Sequence, residues 1–261
     1  MIKIATFNVN SVRARLPNLL VWLDEAKPDV VLLQELKCMD ETFPAMEIEE
    51  RGYNIAMQGQ KTYNGVAILS KFPFDEVIKK LPGDDADVEA RYIEAVLMAG
   101  KHVLRVASIY VPNGGEPEGP RFPYKLKFLE RLKAHAETLL SYNETLILGG
   151  DYNVAPFPMD VYDAKGLYGT TCFHPEEHAR FRAILNVGLT DAFRTLHPDS
   201  HSFSWWDYRG GGYEHNKGMR IDHLLLSPQA TNLLKTSGID EKPRGAEKAS
   251  DHAPVWATFA L

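Results

Sequence analysis

The sequence predicts an α+β layered sandwich. Short β-rich runs alternate with helical patterns over the whole 261 residues, strands outnumber helices, and several strands follow one another with no helix between them. The last feature separates a layered sandwich from a doubly wound parallel sheet, in which every crossover carries a helix. No Ser/Gly-rich linker divides the chain and no short-period repeat is present, so residues 1–261 are expected to form one domain.

The elements follow in order. Ile2 to Val9 reads as a strand. Val12 to Lys27 reads as a helix, because Leu16, Leu19, Leu20 and Leu23 fall on one stripe and Pro17 is tolerated near the start. Pro28-Asp29 breaks it, and the continuous apolar run from Val30 to Gln34 is a strand buried on both faces, ending at Glu35. Further strands are expected at Tyr53 to Gln58, Gly65 to Ser70, Tyr92 to Met98 and His102 to Val111. The Pro/Gly-rich stretch from Gly114 to Pro123 is an excursion loop, because the most periodic helix, Tyr124 to Leu140, follows at once. Thr145 to Gly149 is a buried strand leading into Asp151, Glu176 to Asn186 is helical, and Arg220 to Ser227 and Pro254 to Ala260 are the closing strands.

Composition excludes several classes. With 44% hydrophobic, 25% charged and 10% aromatic residues, the chain is an ordinary globular protein, not a disordered, collagen-like or disulfide-dense one. Two cysteines, Cys38 and Cys172, lie outside any CxxC pair, which argues against a disulfide framework and a cysteine zinc site. The first residues carry no basic-then-apolar leader, and no apolar run approaches the roughly 20 residues needed to cross a bilayer. A cytoplasmic setting without membrane contact is therefore expected. The formal charge is −6, from 29 Lys and Arg against 35 Asp and Glu. That argues against a protein that coats nucleic acid through bulk positive charge, but not against an enzyme working on a polyanion through a local basic rim and a metal.

The chemistry lies in where the polar residues fall. Asn8, Glu35, Tyr110, Asp151, Asn153, Asp222, Asp251 and His252 all sit at or just past strand ends, or in a loop entering a strand. Strand ends present side chains on the rim of a rigid sheet. Singly, each Asp or Asn is an ordinary turn residue; together they are a set of carboxylates and amides with one imidazole and no thiolate. Hard oxygen donors of this kind select Mg²⁺ or Mn²⁺ over zinc, and a histidine oriented by an aspartate suits attack by water on phosphorus. Competing signatures are missing: there is no phosphate-binding GxxxxGK[ST] loop, no GxGxxG unit after a strand and no GxSxG elbow. His174 and His178 have zinc-pair spacing, but Pro175 and the absence of a following Glu spoil the HExxH pattern.

These residues sit in segments that resemble the exonuclease III and apurinic/apyrimidinic endonuclease family, within the exonuclease–endonuclease–phosphatase superfamily. The resemblance spans the chain and rests on Phe7-Asn8-Val9-Asn10, Leu33-Gln34-Glu35-Leu36-Lys37, Asn64-Gly65-Val66-Ala67-Ile68, Tyr110-Val111-Pro112-Asn113-Gly114, Gly150-Asp151-Tyr152-Asn153-Val154-Ala155-Pro156, Phe203-Ser204-Trp205, Arg220-Ile221-Asp222 and Ser250-Asp251-His252-Ala253-Pro254, in the family's order. It implies a four-layered α/β sandwich of two packed mixed sheets flanked by helices, like deoxyribonuclease I. It implies Mg²⁺, with Mn²⁺ able to substitute, held by Glu35 with Asn8 and Asp251 and with Asp151, Asn153 and His252 close by. It implies that Asp151 activates water or protonates the leaving oxygen, that Asn153 orients the water, and that Tyr110 and His252 contact the phosphate while Asp222 holds the imidazole. Trp205, Met219 and Ile221 match the lining of a pocket for a baseless deoxyribose. Asn10, Asn113, Asn216, Arg91, Arg209, Lys217 and Arg220 are the expected substrate or DNA-backbone contacts.

The function so implied is a metal-dependent DNA-repair nuclease, a monomer acting on double-stranded DNA at abasic sites and at 3′ ends. Two enzyme alternatives are a 3′-end-processing exonuclease with little abasic activity and a phosphatase for a small or lipid phosphate. A non-catalytic DNA-binding module would show a degraded catalytic position, and none is degraded. The loop from Gly169 to His174 borders the implied pocket, and a bulky group there, around Cys172, would close it to an abasic sugar.

Overall fold

The computed structural model describes residues 1–261. In chain order the strands are β1 (Ile2–Asn8), β2 (Val30–Gln34), β3 (Asn54–Gln58), β4 (Val66–Ser70), β5 (Phe74–Ile78), β6 (Tyr92–Ala99), β7 (His102–Tyr110), β8 (Thr145–Asp151), β9 (Thr190–Asp191), β10 (Trp205–Trp206), β11 (Gly218–Met219), β12 (Asp222–Leu226), β13 (Leu234–Ile239) and β14 (Val255–Phe259). The α-helices are α1 (Leu16–Ala26), α2 (Ala45–Glu49), α3 (Phe122–Leu140), α4 (Pro175–Asn186), α5 (Ala192–Leu196) and α6 (Pro228–Leu233).

Twelve of the strands form two six-stranded sheets, ordered β13-β14-β1-β2-β4-β3 and β5-β6-β7-β8-β12-β9, while β10 and β11 pair as a separate ribbon. Each large sheet is mixed. Its one parallel pair lies at its centre, β1 with β2 in the first and β7 with β8 in the second, and every other pairing is antiparallel.

The period-2 alternation of a strand explains the layering. On β1 and β2, Ile4, Val30 and Leu32 face the second sheet, where they meet Ile93, Val106, Ile147 and Leu224. Their neighbours Ala5, Phe7, Val31 and Leu33 face the opposite way and pack on Leu19, Trp22 and Leu23 of α1 and Ile48 of α2. The second sheet repeats the pattern, with Ala107, Ile109, Leu146 and Leu148 against Phe128 and Leu132 of α3 and Phe181 and Ile184 of α4. Two sheets with helices outside both give the four layers that the resemblance implies. No helix is long and apolar enough to cross a membrane.

Three differences from the sequence reading have simple causes. The first helix begins at Leu16, because Asn10 and Ser11 take left-handed φ values of 43° and 84° and turn the chain before it. Strands β5 and β13 have no clear sequence signal because both are edge strands, largely exposed on β5 and interrupted by Lys235, Ser237 and Gly238 on β13, so neither shows a buried apolar run. Strand β8 continues past Gly149 to Asp151.

Candidate active site

The central strands deliver the polar residues to one end of the sandwich. Strands β1 and β2 run in parallel, as do β7 and β8, so Asn8, Glu35, Tyr110 and Asp151 emerge at the C-terminal ends of four strands. Strands β12 and β14 run antiparallel to them, so the same rim receives the entry ends of both, with Asp222 at the start of β12 and Asp251-His252 just before β14. Asp151 stands in register with Tyr110 on one side and Asp222 on the other. Glycine lets the layers close behind it. A Cβ at Gly149 would lie 2.4 Å from Leu32 Cδ1 of the facing sheet, and one at Gly150 would lie 1.9 Å from the Ile109 carbonyl oxygen.

The side chains form one connected network. The Asn8 amide donates to Glu35 Oε1 and to Asp151 Oδ2, both at 2.9 Å, and so joins the two sheets. His252 Nδ1 lies 2.9 Å from Asp222 Oδ2, and its Nε2 lies 3.7 Å from Asp151 Oδ2. Ser204 Oγ donates to Asp222 at 2.6 Å. Asp151 Oδ1 accepts from the Asn153 backbone N–H at 2.9 Å, while the Asn153 side chain donates to the Val111 carbonyl and accepts from Asn113 Nδ2 at 3.1 Å. Asp251 accepts from Asn10 Nδ2 at 2.8 Å and from Trp205 Nε1 at 3.0 Å.

Burial sets the electrostatics. It pushes the Asp151 carboxyl well above its ordinary value; His252 opposes the shift and Asp222 adds to it. Burial alone would lower His252, but Asp222 and Asp151 outweigh it and raise the imidazole. Burial would likewise raise Glu35, and the adjoining Lys37 ammonium, 2.8 Å from Oε2, reverses the direction. Burial and the nearby Glu35 carboxylate keep the Tyr110 phenol protonated.

Of these groups Glu35, Tyr110, Asp151, Asn153, Asp251 and His252 line a cavity of about 440 Å³, whose lining also includes Trp205, Met219 and Ile221. A model of the endonuclease/exonuclease/phosphatase family matches residues 5–252. The chain belongs to that family. It is 36% identical to the exodeoxyribonuclease III of Haemophilus influenzae over 98% of this chain and 99% of that protein. It is 31% identical to the DNA repair nuclease APEX1 of Danio rerio, over 99% of this chain and 82% of the other. Among solved structures it resembles a 3′ phosphatase from Neisseria bound to a product DNA hairpin (TM-score 0.95, 36% identity, all of both chains). It also resembles an AP endonuclease from Archaeoglobus fulgidus (TM-score 0.94, 36% identity, all of both chains). The four-layered sandwich is thus the fold of the exonuclease III and AP endonuclease branch of the family.

The family is divalent-metal-dependent, and the donor chemistry of this site fits a metal. Ligand atoms of Glu35, Asp151 and His252 lie within 4.8 Å of one another. Asn8 and Asn153 are joined to that group by the hydrogen bonds above, Asp251 is linked to it through Asn10 and Lys37, and the carboxylates outnumber the imidazole. A hard divalent cation suits such a set.

The outer residues are less uniform. Asn113 and Arg209 line the cavity, and Asn10 reaches it through Asp251. Arg91 stacks on the Tyr110 ring at 4.7 Å and faces an adjoining cavity that shares Tyr110 and Asn113. Asn216 is exposed outside the cavity, accepting from Trp206 Nε1 at 3.1 Å, and Lys217 is exposed beside it. The expectation for Arg220 is corrected. It is wholly buried, donating to Asp160 at 2.7 Å and to Asp191 at 2.8 Å, so its charge is satisfied inside the protein and cannot meet a phosphate. Trp206 is fully buried. His174 caps α4 and His178 faces the Ala155 carbonyl at 3.0 Å, so the two rings form no metal pair. In the Gly169 to His174 loop, Cys172 and Thr171 line the cavity and His174 does not. Lys37, whose ammonium lowers the Glu35 carboxyl, lies two residues past it in the same motif and has no other mark in the sequence.

Proposed function

We propose that this protein is a metal-dependent DNA-repair nuclease that hydrolyses the phosphodiester 5′ to abasic sites and processes DNA 3′ ends, as a 3′→5′ exonuclease and 3′-phosphatase or phosphodiesterase. The carrying observation is one cavity with two walls: an oriented imidazole–carboxylate cluster facing the apolar Trp205, Met219 and Ile221. The first wall suits hydrolysis of a phosphate ester; the second suits a sugar that has lost its base. The relatives named above, an exodeoxyribonuclease, a DNA repair nuclease, a 3′ phosphatase and an AP endonuclease, support the same chemistry.

In this reading the imidazolium of His252, held by Asp222, and the Tyr110 phenol bind the phosphate oxygens. The Asn153 amide orients a water in line with the leaving oxygen. Asp151, whose raised carboxyl can hold or release a proton near neutrality, takes the proton of that water or returns one to the leaving group. Water is the nucleophile, so no covalent enzyme intermediate is required. Glu35, with Asn8 and Asp251 and with Asp151, Asn153 and His252 adjoining, would hold Mg²⁺ or, in substitution, Mn²⁺. The bound ion would offset the charge that grows on the 3′ leaving oxygen.

Residues 1–261 act as one domain and one monomer in the cytoplasm on this account. With a net charge of −6, duplex contact is confined to a rim that includes Asn10, Asn113, Arg91 and Arg209, and binding weakens as salt rises. The test is an assay of abasic duplex, 3′-phosphate DNA and inositol polyphosphate, each with and without EDTA. Incision and 3′ dephosphorylation of DNA, both abolished by EDTA, are expected. Activity on the inositol phosphate alone would overturn the proposal.

A further inference from the structure

Beneath the cavity wall lies an ion pair that takes no part in the chemistry above. Lys125 of α3 and Glu177 in the first turn of α4 are in contact, and neither side chain has any exposure. The three ammonium hydrogens of the lysine have three acceptors: the Glu177 carboxylate, the Asn153 carbonyl at 2.6 Å and the Asn113 carbonyl at 3.1 Å. The carboxylate is shared as well. Its Oε1 accepts from the Cys172 N–H at 3.2 Å and its Oε2 from the His174 N–H at 3.1 Å.

The pair thus ties down the backbone of three separate segments, and each supplies a residue to the cavity: Asn113, Asn153 and Cys172. The same three meet again through their side chains, with Asn113 Nδ2 donating to Asn153 Oδ1 at 3.1 Å and Cys172 Sγ 3.7 Å from that oxygen. Two of them need holding. Asn153 and Cys172 have φ values of 50° and 70°, a left-handed region that side-chain-bearing residues enter only where their surroundings enforce it. The Asn113 loop also folds directly onto the lysine stem, since a Cβ at Gly114 (φ +90°) would lie 2.9 Å from Lys125 Cδ.

Stability does not explain this arrangement. Two charges removed from water recover little net free energy, and apolar groups of similar volume usually serve the fold as well or better. An apolar pair could not, however, donate to two loop carbonyls and accept from two loop amides. We infer that Lys125 and Glu177 are positioning residues for the hydrolysis. They set the Asn153 amide, and the Asn113 and Cys172 walls beside it, without touching the substrate.

The kinetic part of this inference rests on the proposed nuclease activity; the structural part does not. The test compares the parent chain with K125M and K125M/E177Q, by steady-state kinetics on the DNA substrate the parent cleaves, by thermal melting, and by amide hydrogen exchange. K125M should lose about 100-fold in kcat with KM changed less than about threefold, because misplaced groups cost turnover more than binding. K125M/E177Q should regain most of the lost melting temperature, since no charge is left unpaired, yet regain none of the kcat. In the double variant the amides of residues 111–115 and 152–155 should exchange faster while those of β7 and β8 stay protected. Recovery of kcat together with stability, or unchanged exchange in both loops, would overturn the inference. So would failure of both variants to fold, which would make the pair a requirement of the fold. A parent chain inactive on DNA would defeat the nuclease reading, and the exchange experiment would still decide this one.

Discussion

His252 presents Nε2 to Asp151 at 3.7 Å while Asp222 holds its Nδ1 at 2.9 Å. The two aspartates are register partners on β8 and β12, and the imidazole reaches them from the other sheet. D222N keeps the shape of that contact and removes the charge that orients the ring and holds it protonated. It should lower kcat by about 10²–10³, the range for loss of a positioned donor that stabilises charge on the reacting group. Initial rates on the DNA substrate check this, and a fall of less than threefold would mean that Asp222 does not act through His252.

Arg220 and Arg209 separate a buried cation from an exposed one. R220M leaves Asp160 with Arg194 alone and Asp191 with only His223 beside it, and should cost about 3–5 kcal/mol of stability, read as a lower urea midpoint. R209A removes a fully exposed guanidinium whose visible partner is Asp207. It should leave the urea midpoint unchanged and reduce the slope of log K against log salt for DNA by about 1. The reverse pattern would restore Arg220 as a DNA contact.

Asp191 makes stability depend on acid. Burial would raise its carboxyl, but Arg220 and His223 outweigh burial and hold it far below the usual carboxylate range. An unfolded aspartate titrates near about 3.9, so the stabilisation is complete above that value and fades as pH falls below it toward the folded-state pKa. Urea midpoints from neutrality down to about pH 3 should therefore fall more steeply for the parent than for D191N, which lacks the titrating group. Parallel curves would contradict this.

Cys172 lines the cavity. Its side chain stands on the wall beside Asn113 and Asn153, and burial pushes its thiol up to about 12. Alkylation at pH 8 should be slower than that of free cysteine by about 10³-fold, the ratio of thiolate fractions. C172F should fill the space beside the apolar wall and abolish abasic incision while sparing removal of a 3′ phosphate. Equal loss of both activities would show that the wall does not discriminate between them.

Much of this was legible in the sequence because the site is built on strand ends. An apolar run that stops at Asn8, Glu35, Tyr110 or Asp151 marks the rim of a sheet, and two sheets of parallel-centred strands bring those rims together. Other features had no such mark. Arg220 stands beside Ile221 and Asp222 in the same motif, and only the folded chain brings Asp160 and Asp191 around it. Lys125 and Glu177 are ordinary charged helix residues in sequence, 52 positions apart, and burial alone gives them a role. Edge strands β5 and β13 carry too little buried apolar surface to be seen in advance.

The most direct test of the central claim is D151N assayed on an abasic duplex with Mg²⁺, with binding measured on the same DNA. The variant preserves size but cannot carry the proton, and its amide offers one acceptor oxygen where the carboxylate uses both, toward Asn8 and toward the Asn153 N–H. On the role assigned to Asp151, incision should disappear while the dissociation constant stays within about threefold of the parent's, since the group acts on the transition state and not on binding. Near-normal incision by D151N would contradict it.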